Sequence, residues 1–230
     1  MNIPSFALII TAAGTSNRFK SEVNGNTKKE LMAIEGHSVL YLSIKPFFEV
    51  PNLKKVVIAT LPDFMVQTEY ALEDLHLQKK IPITIVAGGS TRQNSVFNAL
   101  KEIKDEEVDF VMIHDGSRPF IKLETILTTF GTATITGASA PCIELSDSIK
   151  EVDENDLIIN HVNRNNLRAI QTPQIFKFNS IFEAHKKAQL DHQTNFNDDT
   201  EIYEKYCGKR VILCKGDHGN KKITWAEDLK

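Results

Sequence analysis

Short continuous apolar runs alternate along the chain with segments whose apolar residues recur at helical spacing. Phe6-Ala7-Leu8-Ile9-Ile10 ends in Thr11-Ala12-Ala13-Gly14, as a buried parallel strand entering a loop would. Leu40, Ile44, Phe47 and Phe48 then keep helical spacing until Pro51-Asn52 breaks the chain. Val56-Val57-Ile58-Ala59 predicts a second strand, a polar stretch from about Asp63 to Asp74 a helix, and Ile83-Thr84-Ile85-Val86-Ala87 a third strand closed by Gly88-Gly89. Val96, Ala99, Leu100 and Ile103 share one helical face, Phe110-Val111-Met112-Ile113 is a fourth strand, and Leu123, Ile126, Leu127 and Phe130 line the next helix.

Strictly alternating β and α units argue for an α/β fold whose mostly parallel sheet is covered by helices on both faces, because parallel strands need a crossover. Loops at the carboxyl ends of the strands then converge on one edge, where open sheets bind ligands. The order changes after Pro141. Up to about Arg164, the polar run Glu151-Val152-Asp153-Glu154-Asn155-Asp156 separates two extended pieces, Asp147-Ser148-Ile149-Lys150 and Leu157-Ile158-Ile159, and predicts a protruding β-arm over 141–164. Ile181, Ala184, His185 and Ala188 mark a later helix, and Val211-Ile212-Leu213 a last strand.

At 230 residues with 41% hydrophobic and 25% charged residues, the chain fits one large domain over 1–230 and neither a disordered nor a fibrous protein. A formal net charge of -3 gives no attraction for bulk nucleic acid or anionic lipid, so any anion must be captured locally. Cys142, Cys207 and Cys214 form no C-x-x-C pair and leave an odd thiol, which fits a reducing compartment. No run of 18 apolar residues occurs, and Met1-Asn2-Ile3-Pro4-Ser5 lacks a secretion signature, so a cytoplasmic location is expected.

The polar residues that follow the strands carry the candidate chemistry. After the first strand, Ala12-Ala13-Gly14-Thr15-Ser16-Asn17-Arg18 puts small residues and a guanidinium where a backbone can wrap a polyphosphate. It lacks the glycines of G-x-G-x-x-G and of the P-loop, and a plain strand-to-helix turn is the alternative. Lys28-Lys29, past a flexible stretch at 21–27, offers a compact cation for a developing phosphoryl charge, or is merely solvated. Gly88-Gly89-Ser90-Thr91-Arg92, with Ser95 nearby, either receives an anion or ring edge or is a helix start capped by Ser90 or Thr91. In His114-Asp115-Gly116-Ser117-Arg118-Pro119, Asp115 suits Mg²⁺ and Arg118 a phosphate, with an Asp-Arg ion pair as the alternative. His114 fits better as a packed strand-end residue than as a base. Asn163-Arg164, Gln171-Thr172-Pro173-Gln174 and Lys221-Lys222-Ile223-Thr224 complete the polar set, while Asp198-Asp199-Thr200-Glu201 fits an acidic helix start better than a metal site. No H-E-x-x-H or G-x-S-x-G occurs, which removes the usual metalloprotease and serine-hydrolase readings.

Taken in order and spacing, these residues resemble the 2-C-methyl-D-erythritol 4-phosphate cytidylyltransferases of non-mevalonate isoprenoid biosynthesis. The resemblance implies a Rossmann-like nucleotidyltransferase fold, a homodimer whose arm reaches into the partner's site, and Mg²⁺-dependent transfer of CMP from CTP to a polyol phosphate. Carried over by position, Ala12, Ala13, Gly14, Arg18 and Lys29 hold the triphosphate, Gly89 and Ser95 lie at base and ribose, and Asp115 and Gly116 belong to the nucleotide side, Asp115 also to the metal. Arg118 stands between nucleotide and acceptor; Ser148, Arg164 and Lys222 take the acceptor phosphate, with Arg164 a candidate for supply by the other subunit. Lys29, Lys222 and Arg18 are the implied catalytic cations. Ser16, Lys28 and Ser148 depart from the glycine, proline and threonine usual in the family. A D-ribitol 5-phosphate cytidylyltransferase is the alternative enzyme, and a catalytically silent nucleotide-binding subunit the alternative of another class.

Overall fold

Strand β1 (Phe6–Ala12) is buried on both faces, and its alternation divides the interior in two. Phe6, Leu8 and Ile10 enter one core; Ala7 and Ile9 enter the other. The computed structural model describes residues 3–15, 19, 28–78 and 81–229. Strands β4 (Leu53–Thr60) and β6 (Phe110–Asp115) flank β1 in parallel, with β5 (Ile83–Ala87) parallel beyond β4. Past β6 lie antiparallel β11 (Gln174–Lys177) and then β7 (Ala138–Glu144), which carries β10 (Arg168–Ile170) antiparallel and β12 (Ile212–Lys215) parallel. These eight strands make one sheet.

Helix α1 (Val39–Ile44) starts on Ser38, whose hydroxyl accepts from Tyr41 N at 3.0 Å, and with α5 (Leu123–Thr136) it covers the first face. The other face is covered by α4 (Arg92–Lys101), α6 (Phe178–Leu190) and α7 (Asp199–Cys207). The helical run expected through Phe48 stops earlier. Pro46 cannot donate an N–H, and residues Lys45–Glu49 form a 3₁₀ turn instead. The helix expected over 63–74 is three short pieces, a 3₁₀ turn at Pro62–Phe64, α2 (Met65–Tyr70) and α3 (Glu73–Gln78).

Among the described residues two small antiparallel hairpins stand outside the sheet. One pairs β2 (Ala33–Ile34) with β3 (His37–Ser38), and the other pairs β8 (Ile149–Val152) with β9 (Ile158–Val162). Residues 141–144 belong to β7 in the main sheet, so the protruding part of the arm is the hairpin over 149–162. Among the described residues no helix is long and apolar enough to cross a membrane.

The sheet order places β1 between β4, which follows it in the chain, and β6, to which the chain returns after β5. Open sheets form their ligand crevice at such a reversal, outside the carboxyl ends of the strands.

Core and surface apolar residues should differ sharply under urea unfolding. Ile58→Ala, fully buried in β4, should cost about 2–5 kcal/mol. Ile135→Ala on α5, 86% exposed, should stay within about 0.5 kcal/mol. Equal costs would contradict the described packing.

Candidate active site

A cleft of about 480 Å³ opens at the carboxyl ends of β1, β5 and β6. Ala13, Gly14 and Thr15 after β1 line one side, and Gly89, Ser90, Thr91, Arg92 and Ser95 after β5 line another. Asp115 and Ser117 after β6, Lys29 and Glu30, and Lys222 and Thr224 near the chain end complete it. The loops fit closely because Gly88 has no side chain: a Cβ there would lie 2.3 Å from that of Ala13. Thr91, one of the two expected caps, starts α4 by accepting from Asn94 N at 3.1 Å. Ser95 Oγ accepts from Gly89 N at 3.0 Å and donates to Thr91 O at 2.9 Å, fixing the loop between them.

Asp115 organises the centre. Its Oδ2 lies 3.1 Å from Lys222 Nζ and 3.1 Å from Arg118 Nε, and its Oδ1 accepts from Thr11 Oγ1 at 3.3 Å. Burial works to raise this carboxyl, but Lys222, Arg118 and Arg92 outweigh it and hold Asp115 well below the usual carboxylate range. The segment carrying Lys222 is strapped onto the strand ends. Ile223 N donates to Ser117 O at 2.8 Å, Lys29 Nζ donates to Ile223 O at 2.6 Å, and Arg118 Nη1 donates to Asn220 O at 2.8 Å. Both lysines are thereby brought to one cleft from opposite ends of the chain.

Lys28 is not the merely solvated lysine of the alternative reading. It is 2% exposed, donates to Ala12 O, and stands 4.0 Å from the buried carboxylate of Glu30. Burial pushes Glu30 up, against the pull of Lys28 and Lys29. Lys28 therefore supports the β1 loop from beneath.

Of the residues singled out in the sequence, the cleft gathers Ala13, Gly14, Lys29, Gly89, Ser95, Asp115 and Lys222. Ala12 lies below it and Gly116 packs under it, where a Cβ would come within 3.0 Å of Ile10 and 3.1 Å of Leu40. Arg118 stands behind Asp115 with its side chain 11% exposed, so the ion-pair alternative describes its geometry. Ser148 and Arg164 do not line the cleft, and Arg164 Nη1 donates to Ser146 O at the base of the arm. Arg18 and Ser16, with the stretch at 21–27, lie outside the described residues.

Sequence reasoning missed the setting of Arg92. Its Nη1 is 2.7 Å from Oδ2 of Asp199, which is fully buried, while Asp198 alone is the acidic cap of α7, accepting from Thr200 N at 3.0 Å and Glu201 N at 3.2 Å. The pair is far apart in the chain, so no local spacing announces it.

The family described as "IspD: 2-C-methyl-D-erythritol 4-phosphate cytidylyltransferase" matches residues 6–230. The chain belongs to this family. A 2-C-methyl-D-erythritol 4-phosphate cytidylyltransferase of Caldanaerobacter subterraneus subsp. tengcongensis is 38% identical over 224 residues, covering 96% of this chain and 94% of the relative. Its counterpart in Clostridium novyi is 37% identical over 222 residues, covering 96% and 92%. The crystal structure of 4-diphosphocytidyl-2C-methyl-D-erythritol synthase from Anaerococcus prevotii superposes with a TM-score of 0.81 at 26% identity, over 99% of this chain and 96% of that one. The α/β sheet of this IspD-family chain, with its helices on both faces, is thus the fold of solved members.

His114 gives the site a measurable pH signature. It is fully buried, its Nδ1 is 2.9 Å from Thr172 Oγ1, and burial pushes it down to about 3. The unfolded chain takes up this proton near 6.5 whereas the folded chain resists, so stability falls as pH drops below 6.5. The expected slope is about 0.7 kcal/mol per pH unit at pH 6.5 and rises to about 1.4 near pH 5. Urea titrations in divalent-free buffer between pH 6.5 and about 5, above most carboxylate titration, should show this slope flattened in His114→Asn. An unchanged slope assigns the loss to other groups.

Proposed function

We propose that this protein transfers CMP from CTP to 2-C-methyl-D-erythritol 4-phosphate, releasing pyrophosphate and forming 4-diphosphocytidyl-2-C-methyl-D-erythritol, in the cytoplasm. The observation that carries the reading is the convergence of Lys29, Lys222 and Arg92 around Asp115 in one strand-end cleft of an IspD-family fold. The whole chain is acidic, yet this cleft concentrates cations, as the joining of two polyanions requires.

The acceptor is a phosphate monoester already ionised near neutral pH, so no general base is needed. One of its oxygens forms a bond to the α-phosphorus of CTP while the bond to the β-phosphate oxygen breaks, and the electron pair leaves with pyrophosphate. The loop Ala13-Gly14 lies where a triphosphate would be wrapped, and Gly89 and Ser95 lie where base and ribose would be received. Lys29 and Lys222 offset the charge that develops on the equatorial oxygens and the departing pyrophosphate. Lys222 comes to this task from Asp115, which it contacts at 3.1 Å, and Arg118 keeps that carboxylate ionised in its place.

Among the described residues no group of three or more His, Cys, Asp or Glu side chains could hold a metal by itself. Mg²⁺ fits such a cleft, because it binds through one or two carboxylates together with substrate phosphates, and Asp115 is an ionised carboxylate in place to hold it. When bound, the ion supplies further charge neutralisation to the phosphate oxygens.

Ser148 and Arg164 are proposed to serve the cleft of a second copy. Support comes from the hairpin of β8 and β9, which pairs with no other strand among the described residues and exposes Leu157, Ile158 and Ile159. Two-stranded hairpins are marginal in water, so this one needs a surface to pack on.

Product analysis with CTP, Mg²⁺ and methylerythritol phosphate or ribitol phosphate tests the activity. Methylerythritol phosphate should be preferred, and equal or greater turnover of ribitol phosphate would reassign the acceptor. Lys29→Ala and Lys222→Ala should each lower kcat by roughly 10² to 10³ with a smaller change in CTP affinity. A rise in KM alone would remove them from catalysis.

The shared site is open to complementation. Lys29→Ala and Arg164→Ala proteins, each poorly active, should recover activity on mixing, because a mixed dimer restores one complete cleft. No recovery, with subunit exchange verified by sedimentation, would place Arg164 outside the partner's site.

A further inference from the structure

Behind the cleft wall lies a buried polar cluster that the reaction as described does not use. Asp199 opens the first turn of α7 with its carboxylate held from two sides. Oδ1 is hydrogen-bonded to His185 Nε2 at 2.9 Å, whereas Oδ2 forms an ion pair with Arg92 Nη1 at 2.7 Å without the alignment of a hydrogen bond. Its backbone N–H donates to Gln174 Oε1 at 3.1 Å. Asp199 and His185 are both 0% exposed, whereas the Arg92 side chain is 29% exposed and lines the cleft.

A buried carboxylate is costly unless it is paired and hydrogen-bonded, so the cluster needs a reason to be there. Its geometry supplies one. The imidazole that steadies Asp199 lies parallel to Phe97, with the ring planes 6° apart, and Phe97 belongs to the same helix that begins with Arg92. Among the described residues His185 Nδ1 has no hydrogen-bond partner, so a ring carrying its hydrogen on Nε2 turns that hydrogen toward Asp199 and leaves only a lone pair unmatched. The carboxylate is thus fixed by His185, by Gln174 and by the turn of α7. A guanidinium has five donors in a rigid fork, and anchoring one nitrogen fixes where the rest of the fork points. Arg92 is anchored on the protein side and stands in the wall on the cleft side.

We infer that Asp199 and His185 are positioning residues for Arg92, aiming its guanidinium at the phosphoryl oxygens bound in the cleft. This rests on the reading of the cleft as a nucleotide and phosphate site. Burial works against the charge on both partners, yet the Asp199 carboxyl is held low by Arg92 and His185, and Arg92 is held high by Asp199 and Asp115. The ion pair therefore persists through the pH range in which the enzyme would work.

The test is a double-mutant cycle on the full chain, read by calorimetric binding of CTP and by turnover of CTP with methylerythritol phosphate. Asp199→Asn and Arg92→Gln should each weaken CTP affinity or kcat/KM by about 10- to 100-fold, the range for a charge-assisted hydrogen bond. The double variant should be no worse than Arg92→Gln within about twofold, because Asp199 acts through Arg92. His185→Gln, which keeps a donor toward Asp199, should retain most of the activity. Should Asp199→Asn fail to fold, Arg92→Lys carries the test, since a point charge drawn to Asp199 cannot also present a fork to the cleft, and it should show the same loss. Normal CTP affinity and turnover in Asp199→Asn or Arg92→Lys, with only the Tm lowered, would make the cluster purely structural and overturn the proposal. Losses that multiply in the double variant would overturn it too. If the wild type binds CTP and the cycle holds in binding while no methylerythritol phosphate is consumed, the acceptor reading fails and the positioning of Arg92 stands.

Discussion

The placement of one carboxylate at the end of β6 governs the site. Two cations 3.1 Å from the same oxygen of Asp115 are attracted by several kcal/mol each before desolvation, about 4 kcal/mol for a unit pair at 4 Å near a protein surface. That attraction draws Lys222 to the sheet, and the backbone bonds of the Asn220-to-Thr224 segment then tie the chain end to Ser117 and Lys29. Without a negative charge at this point, Lys222 and Arg118 would repel each other and the strap would lose its anchor. The site's cations are therefore a consequence of how its anion is buried.

That anion also explains why the cleft can hold surplus positive charge in an acidic protein. Asp199 lies behind the wall, paired with Arg92, and Glu30, which lines the cleft, is itself buried beside Lys28, while Lys29, Arg92 and Lys222 line the same cleft. Lys28 contributes in the same way, by holding the carbonyl of Ala12 from below so that Ala13 and Gly14 remain at the rim.

The sheet was legible in the sequence wherever a strand is buried on both faces. The apolar runs of β1, β4 and β6 read directly, because both side-chain directions meet helices, whereas β5, a half-buried edge strand, read from its continuous run closed by Gly88-Gly89. β10 and β11 did not read, being short and separated only by Gln171-Thr172-Pro173, and β7 was partly taken for the arm because Pro141 looks like a break although it sits within the strand. The site was legible as small or charged residues at or just after strand ends, which gave Ala13, Gly14, Gly89 and Asp115, while Lys222 came from the resemblance of its Lys221-Lys222-Ile223-Thr224 segment. What did not read were the long-range pairs. The burial of Lys28 and the Arg92-to-Asp199 contact depend on which loops the fold brings together, and lysine and aspartate are by composition surface residues.

The arm follows from the same reasoning about burial. A helix or strand of this chain is stable where it gives an apolar face to the sheet, and β8 with β9 gives its apolar residues to solvent. Leu157, Ile158 and Ile159 in a row, 63%, 55% and 61% exposed, lack the alternation that would let a lone hairpin keep one wet face and one dry face. Such a surface is stabilised by covering it, and the covering surface must tolerate Arg164, whose guanidinium is tethered at the arm's base through Ser146. The second copy proposed above would satisfy both demands, because its cleft would use a cation and its own arm has the same apolar residues to bury. Two identical patches covering each other close the assembly at two subunits. In the proposed dimer, association and completion of the acceptor site would be one event, and a chain that cannot dimerise would lack Arg164 at the cleft it is proposed to serve.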